Sequence, residues 1–158
     1  MEMKKQKNRW IMLFCICCNT FCFGGVYAWS AFSGELANYM GWDYSKVTVA
    51  YSIMLMCVAL MGLVGGMLLQ RFGARKLMIA AGIMWGLGWF ATGMAGSIIM
   101  LYASFGILAG CASGFGYNPG VVTAVSWFPD KKGFASGMAV GTCGMASLIV
   151  APLANFLL

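Results

Sequence analysis

The chain has 158 residues, of which 61% are hydrophobic and 9% are charged, and its net charge is +6. Soluble domains are typically about 25% charged, so this composition excludes a water-soluble globular protein and predicts lipid as the solvent. The positive charges flank apolar segments and form no basic face, which excludes nucleic acid as a partner.

Five apolar segments are long enough to cross a bilayer, for which about 20 residues suffice. In chain order they are residues 10–32, 47–69, 77–95, 98–126 and 134–158. The first exceeds the apolar region of a signal peptide, about 7–15 residues, so we predict an uncleaved span. Glu35 and Asp43 fall in the polar connection that follows it. The predicted fold class is all-α: a polytopic membrane protein with five transmembrane helices.

The basic residues predict the orientation. All Lys and Arg residues except Lys46 fall in three clusters, at residues 4–9, 71–76 and 131–132. Basic loops stay on the cytoplasmic side of a membrane. We therefore expect an integral protein of the cell membrane (plasma or inner), with a cytoplasmic N-terminus and the lipid bilayer as its surroundings.

The spans offer little chemistry for catalysis or metal binding. The seven cysteines lie in apolar segments, where Cys behaves as a small hydrophobe. Cys15, Cys17, Cys18 and Cys22 could be imagined as a soft-metal site, but the chain has no His. No charged residue falls within a predicted span. We predict no metal, no cofactor, no catalytic residue and no enzymatic activity.

Glycines recur along the spans at four-residue intervals. They are Gly62 and Gly66; Gly82 and Gly86; Gly106, Gly110 and Gly114; Gly116 and Gly120; and Gly133, Gly137 and Gly141. This spacing puts small residues on one helix face, so that two backbones can approach closely. It predicts tight packing, either static or permitting helices to slide.

The loop after the second span carries a recognisable motif. Residues 66–76 read G-M-L-L-Q-R-F-G-A-R-K, which resembles the G-x-L-x-D-R-x-G-R-R loop of the major facilitator superfamily. Gly66, Arg71, Gly73 and Arg75 match, whereas Gln70 replaces the usual acid. An amide accepts a hydrogen bond but supplies no charge. The resemblance therefore implies a cytoplasmic gate that is held more weakly or differently.

The junction between the fourth and fifth spans is more specific. It reads W-F-P-D-K-K-G, formed by Trp127, Phe128, Pro129, Asp130, Lys131, Lys132 and Gly133. This segment resembles the oxalate/formate antiporter branch of the superfamily, as does the segment 25–30. Proline cannot continue a helix and disfavours helical geometry in the residue before it, so we predict a break here. The resemblance implies that residues 1–158 are the N-terminal bundle of a twelve-helix protein, truncated before its sixth helix and second half.

The same resemblance implies a substrate site. Tyr27 and Tyr117 match aromatic positions associated with the anion pocket of that branch. A tyrosine hydroxyl can donate a hydrogen bond to a carboxylate. Asn118 and Ser113 lie near Tyr117, and Thr20 precedes Tyr27 by two helical turns, so these three are further candidates.

Two other positions bear on the substrate. Phe32 and Cys143 stand where some members of the branch carry further tyrosines, which favours a smaller or less polar anion than oxalate. Burying a lone carboxylate costs at least several kcal/mol. Because the spans hold no cation, the resemblance implies that the required Arg and Lys belong to the absent C-terminal half.

The leading hypothesis is a secondary transporter of small organic anions, mono- or dicarboxylates, that works by alternating access. Anion exchange and proton-coupled uptake both stay open. The alternative is a non-transporting structural or assembly protein of the membrane, or a helix bundle that self-associates through its glycine faces.

Overall fold

The computed structural model describes the backbone of residues 2–157 and the side chains of residues 9–150, 152 and 156. Within that range the helices are α1 (Glu2–Gly24), α2 (Trp29–Met40), α3 (Tyr44–Phe72), α4 (Ala74–Gly93), α5 (Ile98–Leu101), α6 (Gly110–Trp127) and α7 (Lys132–Leu157). A 3-10 turn, Gly25–Ala28, joins α1 to α2, and a π-helical segment, Tyr102–Ala109, joins α5 to α6. The all-α fold class is confirmed.

Four stretches of the described chain are long and apolar enough to cross a membrane. They are Arg9–Met40, Tyr44–Phe72, Ile98–Trp127 and Pro129–Val150. The 20-residue helix α4 is the fifth rod of the bundle. The first predicted span covers α1, the 3-10 turn and the start of α2, the fourth covers α5, the π-helical segment and α6, and the other three fall on α3, α4 and α7, although α4 ends at Gly93. The borders of the membrane-embedded parts stay predictions.

The prediction that Glu35 lies in a connecting loop is wrong. Helix α2 continues to Met40 and carries Glu35 with it. The helix ends because Gly41 adopts a left-handed conformation, with φ of 64°, which glycine tolerates without a Cβ clash. Asp43 then accepts a hydrogen bond of 3.1 Å from the backbone N–H of Ser45 and caps α3.

Helices α3 and α6 run parallel and make the most extensive contact between helices in the described bundle. A Cβ atom added at Gly110 would lie 3.0 Å from the carbonyl oxygen of Met54. One added at Gly114 would lie 2.9 Å from the carbonyl oxygen of Val58. Because both obstacles are backbone atoms, these positions need glycine, and the predicted close packing is confirmed for this face.

The core divides into two clusters along the bundle. The larger is built around aromatic rings, and its centre is the stack of Trp29 on Phe105 with ring centroids 3.8 Å apart. The smaller joins Leu13 and Ile16 of α1 to Phe128, next to the end of α6. We call the end of the bundle beside this smaller cluster the basic end. It carries the basic residues Arg9, Arg71, Arg75, Lys76, Lys131 and Lys132.

Candidate functional site

The first long helix is interrupted beside the site. Gly24 packs against the backbone of Cys143 in α7, where any side chain would clash. The 3-10 turn Gly25–Ala28 follows and carries Tyr27. Val26 and Ala28 are buried, whereas Tyr27 is 55% exposed, so the turn presents the tyrosine to the open side of the bundle. Two adjacent glycines weaken a helix, which explains why the change of geometry occurs here.

Helix α6 contributes two polar residues. Ser113 and Tyr117 are four residues apart and therefore share a helix face. Pro119 follows inside the same helix and removes one backbone hydrogen bond from it. Its ring lies against Gly65 of α3, with the Cγ atom 3.3 Å from where a Cβ of that glycine would lie. The contact with α3 therefore supports the helix where its own hydrogen bonding is broken.

A small cavity of about 80 Å³ lies between the Tyr27 turn and helices α3, α6 and α7. It brings together Tyr27, Ser113 and Tyr117, three of the predicted site residues. The lining residues are Phe23, Val26, Tyr27, Leu55, Val58, Ser113, Tyr117 and Cys143. The walls are apolar, and the groups that can hydrogen-bond are hydroxyls and one thiol.

Two open grooves extend from this cavity. One runs along α7 and is lined by Tyr27, Tyr117, Cys143 and Ser147. The other lies between α3 and α7 and is lined by Gly62, Tyr117, Asn118 and Val140. Tyr117 borders the cavity and both grooves. Asn118 is exposed in the second groove, and its amide packs over Gly62.

The structure places two of the proposed positions elsewhere. Thr20 is fully buried, and its hydroxyl donates to the carbonyl oxygen of Cys17 at 3.1 Å. Thr20 is therefore directed into the bundle, whereas Tyr27, which lies in the 3-10 turn, is 55% exposed. Phe32 lies near Trp89, with ring centroids 6.5 Å apart, in a separate groove between α2 and α4.

Four lining residues, Phe23, Val26, Leu55 and Val58, were not among the predicted site residues. Leu55 and Val58 of α3 form the apolar wall opposite the tyrosines. With Gly62 they follow the i, i+3, i+7 spacing of one helix face. That spacing is the signal that would have assigned them to the same side as Gly62.

Charge lies at the helix ends and away from the cavity. The described basic residues are Arg9, Lys46, Arg71, Arg75, Lys76, Lys131 and Lys132, and none lines the cavity or either groove. A search of the described residues finds no group of His, Cys, Asp and Glu side chains that could hold a metal ion.

The loop motif forms a one-residue link between two helices. Helix α3 ends at Phe72 and α4 begins at Ala74, so that Gly73 alone connects them. Gly73 has φ of 80°, a conformation that residues with a Cβ rarely adopt. Gln70, Arg71 and Arg75 are exposed around this link. Gly66 has no neighbour within 4 Å of its would-be Cβ.

The junction motif forms the predicted break. Phe128 leaves helical geometry, with φ of −123° and ψ of 65°, and its side chain is only 2% exposed. Pro129–Lys131 forms a 3-10 turn, and α7 begins at Lys132. Asp130 lies within 3.5 Å of Arg9 at the start of the bundle.

Long apolar helices around an uncharged cavity define a polytopic membrane protein. The family model of the Major Facilitator Superfamily matches residues 7–158, and the chain therefore belongs to this superfamily of transporters. Both the family and the resemblance to the oxalate/formate antiporter branch are confirmed.

Individual relatives agree with this assignment. The chain is 36% identical over 143 residues to the uncharacterized MFS-type transporter YhjX of Escherichia coli (strain K12), covering 90% of this chain and 36% of the relative. It is 32% identical over 152 residues to the oxalate:formate antiporter of Oxalobacter formigenes, covering 96% and 36%. It is 28% identical over 149 residues to monocarboxylate transporter 3 of Mus musculus, covering 94% and 30%. The chain thus spans 30–36% of the length of these relatives.

Proposed function

We propose that this chain forms the N-terminal, substrate-lining part of a secondary transporter for small organic anions. The observation that carries the proposal is one cavity in which Tyr27, Ser113 and Tyr117 converge from two different segments of the chain. Hydroxyl groups can donate hydrogen bonds to a carboxylate without adding charge. The names of two relatives, an oxalate:formate antiporter and a monocarboxylate transporter, support a carboxylate as the substrate.

The walls of the cavity favour a small anion with an apolar part. Leu55 and Val58 face the tyrosines, and Cys143 contributes only a thiol, a weak hydrogen-bonding group. We propose that a monocarboxylate fits this wall better than oxalate does.

The site needs a positive charge from outside the described residues. A carboxylate buried without a partner costs several kcal/mol, and no described Lys or Arg lines the cavity. Because the relatives are about three times as long as this chain, we propose that the cation comes from a second half. The two halves would then rock around the site and expose it alternately to each side.

Charge supports an orientation for this transporter. Arg9, the Arg71–Lys76 link and Lys131 lie at the basic end of the bundle. Basic segments are retained in the cytoplasm during insertion, so we propose that the basic end is cytoplasmic and the membrane is the cell membrane.

Reconstitution into liposomes tests the proposed function. Two proteins are compared: the 158-residue chain, and a chimera that joins it to the part of the Oxalobacter formigenes antiporter beyond the matched region. We expect saturable exchange of labelled formate or lactate by the chimera and none by the chain alone. Saturable exchange by the chain alone would refute the need for a second half. A correctly folded chimera that moves no carboxylate would refute the proposed substrate class.

A second candidate is a self-associating helix bundle. Gly133, Gly137 and Gly141 of α7 have no neighbour within 4 Å of a would-be Cβ, so this face is open to another helix. Light scattering in detergent separates the two candidates. A stable homo-oligomer that Gly137→Leu dissociates would favour self-association, and a monomer in both proteins would favour the transporter.

A further inference from the structure

The N-terminal end of α1 contacts the junction between α6 and α7. The Nη1 atom of Arg9 lies 3.5 Å from the Oδ2 atom of Asp130. The guanidinium carbon also lies 5.4 Å from the centroid of the Phe128 ring, within the range of a cation–π contact. The Arg9 side chain is 29% exposed and its Nε atom is shielded from solvent, so part of the charge lies in a low-dielectric environment.

The next residue adds two aromatic contacts. The Trp10 ring meets the Phe128 ring edge-on, with centroids 5.4 Å apart and planes at 74°. It meets the Phe134 ring in the same manner, at 6.2 Å and 72°. Such edge-to-face pairs are attractive beyond the area they bury. Two consecutive residues of α1, Arg9 and Trp10, therefore contact Phe128 and Asp130 of the junction and Phe134 near the start of α7.

Among the described acidic side chains, Asp130 is the one close enough to form an ion pair with Arg9. Lys131 and Lys132 follow Asp130 directly and repel a guanidinium. The other acids among the described side chains, Glu35 and Asp43, belong to the opposite end of the bundle. Among the described residues, Asp130 is therefore the acid that balances the positive charge of Arg9.

We propose that Arg9, Trp10, Phe128, Asp130 and Phe134 form a latch that makes α1 and α7 move as one body. The two helices also touch where Gly24 packs on Cys143, about 22 Å farther along α1 at 1.5 Å per residue. The helices also pack between these two points, where Leu13, Ile16 and Cys17 share the smaller core cluster with Ala135 and Ala139. The latch fastens the basic end of this interface, and so helps to hold α1 against the helix that carries Cys143, which lines the cavity together with Tyr27.

This latch gives the W-F-P-D motif a physical role. Pro129 ends the helix, and the non-helical backbone of Phe128 turns its ring into the core beneath Arg9 and Trp10. Asp130 then stands beside the guanidinium. A continuous helix would place these side chains on different faces, 100° apart per residue.

Limited proteolysis with trypsin tests the latch, because the exposed Lys131 and Lys132 lie within it. Arg9→Gln removes the cation and leaves the cleaved sequence unchanged. We expect cleavage after Lys131 and Lys132 to become about fivefold faster, the effect of one modest interaction on a local opening equilibrium. Cleavage within the Arg71–Lys76 link of the same molecule should keep its rate.

Arg71→Gln is the matched control, since Arg71 is also a basic residue near a phenyl ring, 5.6 Å from Phe72, at the same end. It should leave cleavage after Lys131 and Lys132 unchanged. An unaltered rate in Arg9→Gln, or an equal rise in Arg71→Gln, would overturn the latch.

A double-mutant cycle gives a second, independent measurement. Arg9→Gln and Asp130→Asn should each lower the midpoint of thermal unfolding in detergent by about 2 °C. The double variant should fall no further than the lower single variant, because both changes break one contact. Fully additive shifts would show that the two residues act independently and would overturn the proposal.

Discussion

Two glycine-rich faces of this bundle have the same spacing and different surroundings. Gly106, Gly110 and Gly114 press against α3, the last two against its backbone, whereas Gly133, Gly137 and Gly141 of α7 face open space. In the most apolar part of Ile98–Trp127, which contains the first set, 50% of the residues are buried. In that of Pro129–Val150, which contains the second set, 22% are buried. Four-residue spacing therefore indicates that a helix can be approached closely. It does not tell whether a neighbour within this chain makes the approach.

Substitution of one glycine from each face gives the largest expected contrast. Gly114→Ala would place a methyl group 2.9 Å from the carbonyl oxygen of Val58 and 3.0 Å from the backbone nitrogen of Gly62. Because backbone cannot swing aside, we expect a loss of about 1–3 kcal/mol in the free energy of unfolding. Gly137→Ala should be neutral or stabilising by up to about 1 kcal/mol. Titration with a denaturing detergent measures both. Equal losses would show that the two faces do not differ.

The link between α3 and α4 needs glycine for a different reason. Gly73→Ala has space for its methyl group but must hold φ near 80°. We expect a loss of about 1–3 kcal/mol, the cost of a sparsely populated backbone conformation with positive φ for a residue with a Cβ. The same detergent titration provides the value, with Gly66→Ala, seven residues earlier in the same motif, as the control. A loss in Gly66→Ala as large as that in Gly73→Ala would mean that backbone conformation is not the cause.

A third pair of glycines tests a side-chain contact. Gly62 lies beneath the amide of Asn118, and Gly66, one turn later, has open space. Gly62→Ala should change the free energy of unfolding by less than about 0.5 kcal/mol, because the end of a side chain can move aside. It should nevertheless displace Asn118 and raise the KM for carboxylate in the transporting chimera, whereas Gly66→Ala should not. If Gly62→Ala raised KM equally when Asn118 was already replaced by Ala, the displacement would not be the cause.

Much of the fold follows from local pattern. Apolar length locates four of the five rods, and Phe128 before Pro129 locates the break, because both depend on neighbouring residues. Family resemblance paired Tyr27 with Tyr117, which are distant in the sequence, and proximity to Tyr117 along the chain added Ser113; all three line one cavity. Prediction from the local sequence pattern failed where a helix changes its geometry or extends beyond the apolar segment. Thr20 is buried whereas Tyr27 is exposed in a 3-10 turn, and Glu35 lies in a helix that continues to Met40.

Contacts between distant parts of the chain were beyond local pattern. Nothing in the sequence near Arg9 points to Asp130, and their pairing depends on the packing of α1 against α6 and α7. Helix-face spacing groups Leu55 and Val58 with Gly62, but it does not place them at the cavity, which they reach because glycines bring α3 close to α6.

The most direct test of the account is the loss of the two tyrosine hydroxyls in the transporting chimera. Tyr27→Phe and Tyr117→Phe keep the rings and remove only the groups proposed to donate to the carboxylate, and Tyr39→Phe, at a residue 86% exposed, is the control. A hydrogen bond to a charged group is worth about 1.5–3 kcal/mol, so each cavity variant should raise the KM for carboxylate exchange roughly tenfold or more. Unchanged KM values in both, with Tyr39→Phe also unchanged, would contradict the assignment of this cavity as the substrate site.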